Sequence, residues 1–218
     1  MSVDKSPKTS EAMWPSLIAM AAAGALHGLL PEHLAIGPRW MLLAIVFGIL
    51  IPSEIFHALG KHKFCKILGY VAISIVTLAM IWSVVRLVNA IPLHQIKPEQ
   101  LLRSAIVLWA TNILVFAGWY WKLDAGGPHK RDLRETHDDG AFLFPQMTIN
   151  GPTDDPDDKK NWTPHFIDYL FLAFNTSTAL SPTDVPVLSR WAKVLMMIQA
   201  MISLAVVGLL AARAVNIL

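Results

Sequence analysis

Charges in this 218-residue chain are few, and they are bunched. Asp, Glu, Lys and Arg make up 16% of the residues, against about 25% in an ordinary soluble domain. They gather in the first eleven residues, at 61–66, at 97–103 and from 122 to 160, and the windows between are almost free of charge. A soluble amphipathic helix interleaves charged and apolar residues at helical spacing. Long uncharged apolar windows parted by polar connectors are instead the pattern of membrane spans and loops, and the mean hydropathy of +0.47 agrees. The pattern predicts an all-α integral membrane protein with four to five transmembrane helices, to which the order of elements near the C-terminus adds a re-entrant pore-loop helix. The lipid bilayer is its first partner.

The net charge of +2 leaves no basic patch large enough for nucleic acid. Cys65 is the single cysteine, which excludes an intramolecular disulfide and a thiolate cluster for zinc. After Lys5 and Lys8, the apolar run to Leu30 imitates a secretory signal, but Pro31-Glu32-His33 follows it in place of a small-residue cleavage site. The expectation is that the run is retained.

Residues 1–13 read as a polar tail and 14–123 as a helical membrane domain. Within it, 14–30 would span about 25 Å as a helix, less than a roughly 30 Å hydrocarbon core. It is either a short span or an interfacial helix. Spans follow at about 40–58, 64–89 and 101–123. The third ends in Trp119-Tyr120-Trp121-Lys122, the aromatic and basic signature of the headgroup level. Residues 124–163 hold nine acidic and five basic residues and read as a solvated loop. Its one apolar patch, Phe142-Leu143-Phe144-Pro145, is expected to dock on the membrane face or on a neighbouring subunit. Residues 164–218 read as a half-length helix (164–175), a polar segment (176–184) and a last span from about Leu188.

A half-length helix ending in polar residues between two spans is the design of a re-entrant pore loop. The run from Tyr169 through Ala179-Leu180-Ser181-Pro182-Thr183-Asp184 to Lys193 resembles the pore helix, filter and post-filter turn of tetrameric potassium channels. The helix after it, with Gly208 placed as a hinge, is similar to their inner helix. Across the whole chain, Gly37-Pro38-Arg39-Trp40, Trp119-Tyr120-Trp121, Gly126-Gly127-Pro128, Phe144-Pro145-Gln146-Met147 and Ser181-Pro182-Thr183-Asp184 resemble a family of uncharacterised bacterial membrane proteins. The resemblance implies a multi-pass protein of the bacterial inner membrane, a homo-oligomer of four chains, and monovalent cations as partners. It implies a pore lined by Thr176, Ser177, Thr178, Ser181, Pro182, Thr183 and Asp184. By that analogy alone the pore loop lies on the non-cytoplasmic side, because the basic residues flanking the first connectors nearly balance.

The departure from the channel pattern matters. A potassium filter carries two glycines where this chain has Ser181 and Thr183, with Pro182 between them. Glycine permits the backbone conformations that turn successive carbonyls to the axis, whereas proline has a fixed φ and no N–H. Ordinary potassium selectivity is not expected. The same hydroxyls equally suit bonding between helices, and Asp184 equally suits capping the last helix.

Glu54 and His57 share one helix face. They are the weak metal candidates, but a di-iron bundle needs a second such pair and further carboxylates. His27 reads as packed. Asn112, the lone amide deep in its span, is expected to bond to another helix, with the half-length helix as partner. No Ser-His-Asp set, phosphate loop or nucleotide fingerprint appears, so neither enzymatic activity nor a cofactor is expected.

Overall fold

The computed structural model describes residues 14–90, 98–132, 140–148, 162–181 and 184–215. Every named element among them is helical. In chain order these are α1 (Trp14–His27), α2 (Met41–Ala58), α3 (His62–Ala90), α4 (Pro98–Leu123), α5 (Pro128–Asp132), α6 (Pro145–Thr148), α7 (Phe166–Ala179) and α8 (Arg190–Val215), with a 3-10 turn at Asp124–Gly126 between α4 and α5. The polar tail, the connector 91–97 and, within the acidic stretch, residues 133–139 and 149–161 lie outside the described residues.

Among the described residues, three stretches are long and apolar enough to cross a bilayer: Lys63–Ala90, Glu99–Arg131 and Arg190–Ala211. Met41–Phe56 is a shorter apolar helix, and α1 is only about 21 Å long at its 14 residues. The α2–α3 turn is closed by Gly60, whose φ of 71° allows the Lys61 N–H to bond back to the Phe56 carbonyl at 2.9 Å. That six-residue closure is the Schellman end of a helix.

α4 is the hub, packing against α1, α3, α7 and α8, while α2 packs on α3 and α1. Its apolar stretch is 67% buried, against 22% for that of α8. On α8 the buried positions are Ala192, Met196, Gln199, Ser203 and Val206, spaced by threes and fours and so lying on one face. Val194, Met197, Met201 and Leu204 form the opposite stripe, apolar and exposed. A helix apolar on both faces belongs in lipid or against another chain.

Within the acidic stretch, the described residues 124–132 and 140–148 are not a uniformly solvated loop. Asp124, Arg131, Phe142 and Phe144 are all buried. The Asp124 carboxylate accepts the Tyr169 hydroxyl at 2.6 Å and the Ala141 amide. Arg131 donates to the carbonyls of Trp121 at 2.8 Å and Asp124 at 3.0 Å, satisfying acceptors that the end of α4 leaves free. The physical reason is local: a charge survives burial when hydrogen bonds surround it, and this turn supplies them. Phe142 meets the rings of Tyr120, Tyr169 and Trp191 at centroid distances of 5.3, 6.2 and 6.1 Å. Phe142 and Phe144 of the apolar patch therefore pack within their own chain, rather than on the membrane face or on a neighbouring subunit. Backbone bonds from Leu143 to Pro186 and from Leu188 to Ala141, at 2.9 and 2.8 Å, pin it to the strand-like approach to α8.

Replacing Phe142 with Ala is expected to destabilise the chain by about 3–5 kcal/mol. Unfolding followed in detergent checks this. A loss no larger than that of Leu143→Ala, at a half-buried neighbour, contradicts the packing role.

Candidate functional site

α7 begins one turn after Trp162. Its first turn is closed by Asp168, whose carboxylate accepts the His165 N–H at 2.7 Å, half of a capping box. The helix runs on through Thr176, Ser177, Thr178 and Ala179, beyond the residue 175 expected from sequence, and ends at Leu180 in the left-handed conformation (φ 54°). Three of the hydroxyls assigned to a filter thus stand on helix, where their side chains answer to helical periodicity.

That periodicity parts them. Thr176 and Ser177 are buried, and Thr178, Ser181 and Asp184 are exposed. Pro182 and Thr183 lie outside the described residues. Thr176 Oγ1 donates to the Leu172 carbonyl at 2.8 Å, and Thr178 Oγ1 to that of Phe174 at 2.9 Å. Both are the i−4 back-bond by which a helical threonine satisfies its own proton.

Ser177 is different, because it joins three helices. Its Oγ accepts from Gln199 Nε2 at 2.9 Å and from Asn112 Nδ2 at 3.4 Å. Gln199 Nε2 also donates to the Ala173 carbonyl at 2.7 Å, and its Oε1 accepts the Tyr120 hydroxyl. Asn112 Nδ2 donates further to Ser203 Oγ at 2.8 Å and to the Gln199 carbonyl at 3.3 Å. Asn112, Ser177, Gln199 and Ser203 are each no more than 1% exposed. The expected link from Asn112 to the half-length helix is present. Gln199 and Ser203 were missed at the sequence level, although Gln199 carries the same signal as Asn112: one amide in an otherwise apolar span. Asn112 Oδ1 is buried with no hydrogen-bond partner.

The depth of this cluster follows from residue counting. Asn112 stands about 17 Å along α4 from its end at Leu123, and Gln199 about 14 Å along α8 from its start at Arg190. Both are mid-helix. Tyr169, two turns earlier on α7, instead lies against Phe142 and Phe144, beside the end of α4 and the start of α8.

Asp184 does not cap α8. Ser189 does, its Oγ accepting the Ala192 N–H at 3.3 Å. Gly208 is exposed, and a Cβ built there meets nothing within 4 Å. It falls on the outward stripe of α8 with Val194 and Met201. Glu54 is exposed, and the His57 side chain lies outside the described residues. Among the described residues no group of three or more His, Cys, Asp or Glu is gathered to hold a metal. His27 is buried, as expected, with its Nε2 unpartnered.

Set beside protein-family models, curated proteins and solved structures, the chain matches none.

Replacing Gln199 with Leu strands the buried Tyr120 hydroxyl and leaves Ser177 only its longer bond from Asn112, and it is expected to cost about 1–3 kcal/mol. A double-mutant cycle on Asn112→Ala and Ser203→Ala should return a coupling near 0.6 kcal/mol, as roughly found for hydrogen bonds between membrane helices. Met201→Leu, on the exposed stripe, should stay within about 0.5 kcal/mol of the parent. Equal losses at Gln199 and Met201 would deny the cluster its role.

Proposed function

We propose that this chain is one subunit of a homo-tetrameric, channel-like membrane protein in which α7 is a re-entrant helix. Thr178, Ser181 and Asp184 then border a weakly selective pathway for monovalent cations. One observation carries this. α7 starts beside the end of α4 and the start of α8, and it ends level with the middles of both, at Asn112 and Gln199. The chain regains the same end by Val187, which pairs with Phe142. The intervening residues 180–187 are enough to cover that depth in extended form, at about 3.3 Å each.

The polar rim suits cations. The negative end of the α7 dipole points to its C-terminus, and the exposed Thr178, Ser181 and Asp184 follow there. Four Asp184 carboxylates around an axis would concentrate cations. The outward stripe of α8, apolar and exposed, offers the surface on which four copies meet.

The orientation departs from the channel analogy. Lys66 bonds to Gly126 and Tyr70 to Lys122, so the start of α3 and the end of α4 share one end of the molecule. That end carries Lys61, Lys63, Lys66, Lys122, Lys130, Arg190 and Lys193, while Arg39, Arg86 and Arg103 lie toward the other. Basic residues near span ends favour the cytoplasmic side. In this proposal α7 enters from the cytoplasm.

A second reading is a non-conducting scaffold that keeps the same fold. It is favoured by the turning of Thr176 and Ser177 into internal bonds, which withdraws two hydroxyls from any pore.

Reconstituted into liposomes, the chain should carry potassium and sodium at similar rates. Asp184→Asn should lower the flux roughly tenfold at low salt and much less at high salt, where the ring is screened. Flux at background from a chain that is monomeric or dimeric in detergent would remove the channel and leave the scaffold. For orientation, a reporter after Lys61 should read as cytoplasmic. A periplasmic signal would restore the orientation of the channel analogy.

A further inference from the structure

A second site lies at the other side of the turn after α4. A cavity of about 340 Å³ opens between the start of α3, the end of α4 and α5. Lys63, Lys66, Lys122 and Lys130 line it, with Tyr70 and Trp121 as aromatic walls, and no carboxylate lies among its lining residues. The lysines come from three elements, so no single helix face explains their convergence. Nor does the local electrostatics favour it in isolation. The first turn of α3 holds no acidic residue, and Lys63 within it, with Lys66 just beyond, opposes the positive end of the helix dipole. Lys122 is folded back beneath α3, its ammonium 2.5 Å from where a Cβ at Gly69 would stand. Like charges gathered at a positive helix end repel one another until an anion enters between them.

Two further features select the anion. Lys66 Nζ is held by the Gly126 carbonyl at 3.0 Å, and it lies over the Tyr70 ring at 5.8 Å. Lys122 lies over the Trp121 ring at 5.4 Å. These ammoniums are thus placed before any ligand arrives. Tyr and Trp at span ends belong to the headgroup level of a membrane, where basic pockets between helices bind phosphate-bearing heads. The apolar walls suit the glycerol and upper acyl carbons of a lipid.

We propose that this cavity is a binding site for a phosphate group, held by Lys63, Lys66, Lys122 and Lys130. Its ligand is a phospholipid headgroup or a small soluble phosphate, and the site is independent of whether α7 borders a pore.

The test uses the full chain in detergent, with lipids retained on it counted by native mass spectrometry. Phosphatidylglycerol in mixed micelles should bind saturably, and phosphatidylcholine should not. Lys66→Gln and Lys130→Gln should each weaken binding roughly fivefold, while Arg190→Gln and Lys193→Gln, exposed at the same end, should leave it unchanged. Inorganic phosphate and glycerol 3-phosphate form the second arm. Lysine-dependent saturation by either would assign the same site to a soluble ligand, and competition with phosphatidylglycerol would show that both use it. Should the lysine variants not fold, the parent chain still decides. Its phosphatidylglycerol binding must weaken as salt rises from about 0.1 to about 0.5 M. Equal retention of the two lipids with no effect of either soluble phosphate, lysine variants within twofold of the parent, or binding indifferent to salt would each overturn the proposal.

Discussion

A carboxamide in the middle of a membrane helix must find partners within the protein, because the hydrocarbon offers none. Gln199 meets this demand in full. Both of its N–H donors and its oxygen are taken by groups on α4 and α7. This binds the three helices at one depth and one rotation. A slide of one residue along α8 would carry Gln199 about 100° around the helix and leave Ser177, Ala173 and Tyr120 facing methyl groups. Apolar side chains alone enforce no such register, since lipid tails are as apolar as leucine. The amide cluster is therefore what makes α7 a fixed element of the bundle.

The other end of α7 is held by a different chemistry. Asp124 is fully buried, bonded by Tyr169 and the Ala141 amide. Arg131 crosses the rings of Trp121 and Tyr169 at 5.8 and 5.2 Å. A charged turn thus sits among aromatic rings where α4 ends and where α7 and α8 begin. Two anchors of opposite kind, neutral amides at mid-depth and a charged aromatic knot at the end, fix a 14-residue helix that could not span alone.

The three described stretches long and apolar enough to cross a membrane were legible because charge spacing is a one-dimensional property. So was the half-length helix, and so was the link from Asn112 to it, since one amide in an apolar span has few ways to be satisfied. The acidic stretch misled because composition averages over positions. Asp124 and Arg131 add to its polarity, yet both are buried, and only the fold brings Tyr169, 45 residues away, to the carboxylate. Likewise Phe142 finds its partners on α4, α7 and α8, a convergence that no local window reveals. The end of α7 was misplaced for a simpler reason: hydroxyl residues read as loop, but within a helix Thr176 and Thr178 bond back to their own backbone.

The turn from Asp124 to Arg131 also shows why glycines stand at 126 and 127. Both take positive φ, 84° and 98°, a region that other residues enter at a cost. At Gly127 a Cβ would come within 2.9 Å of the Lys122 carbonyl, closer than real contacts allow. One face of this turn presents Asp124 to Tyr169 and so to α7. The other presents Gly126 to Lys66 and Lys130 to the lysine-lined cavity. A backbone so restricted cannot adjust one face without moving the other. The compact turn that holds the entry of α7 is for that reason also one wall of the basic cavity, whose other walls come from the start of α3 and the end of α4.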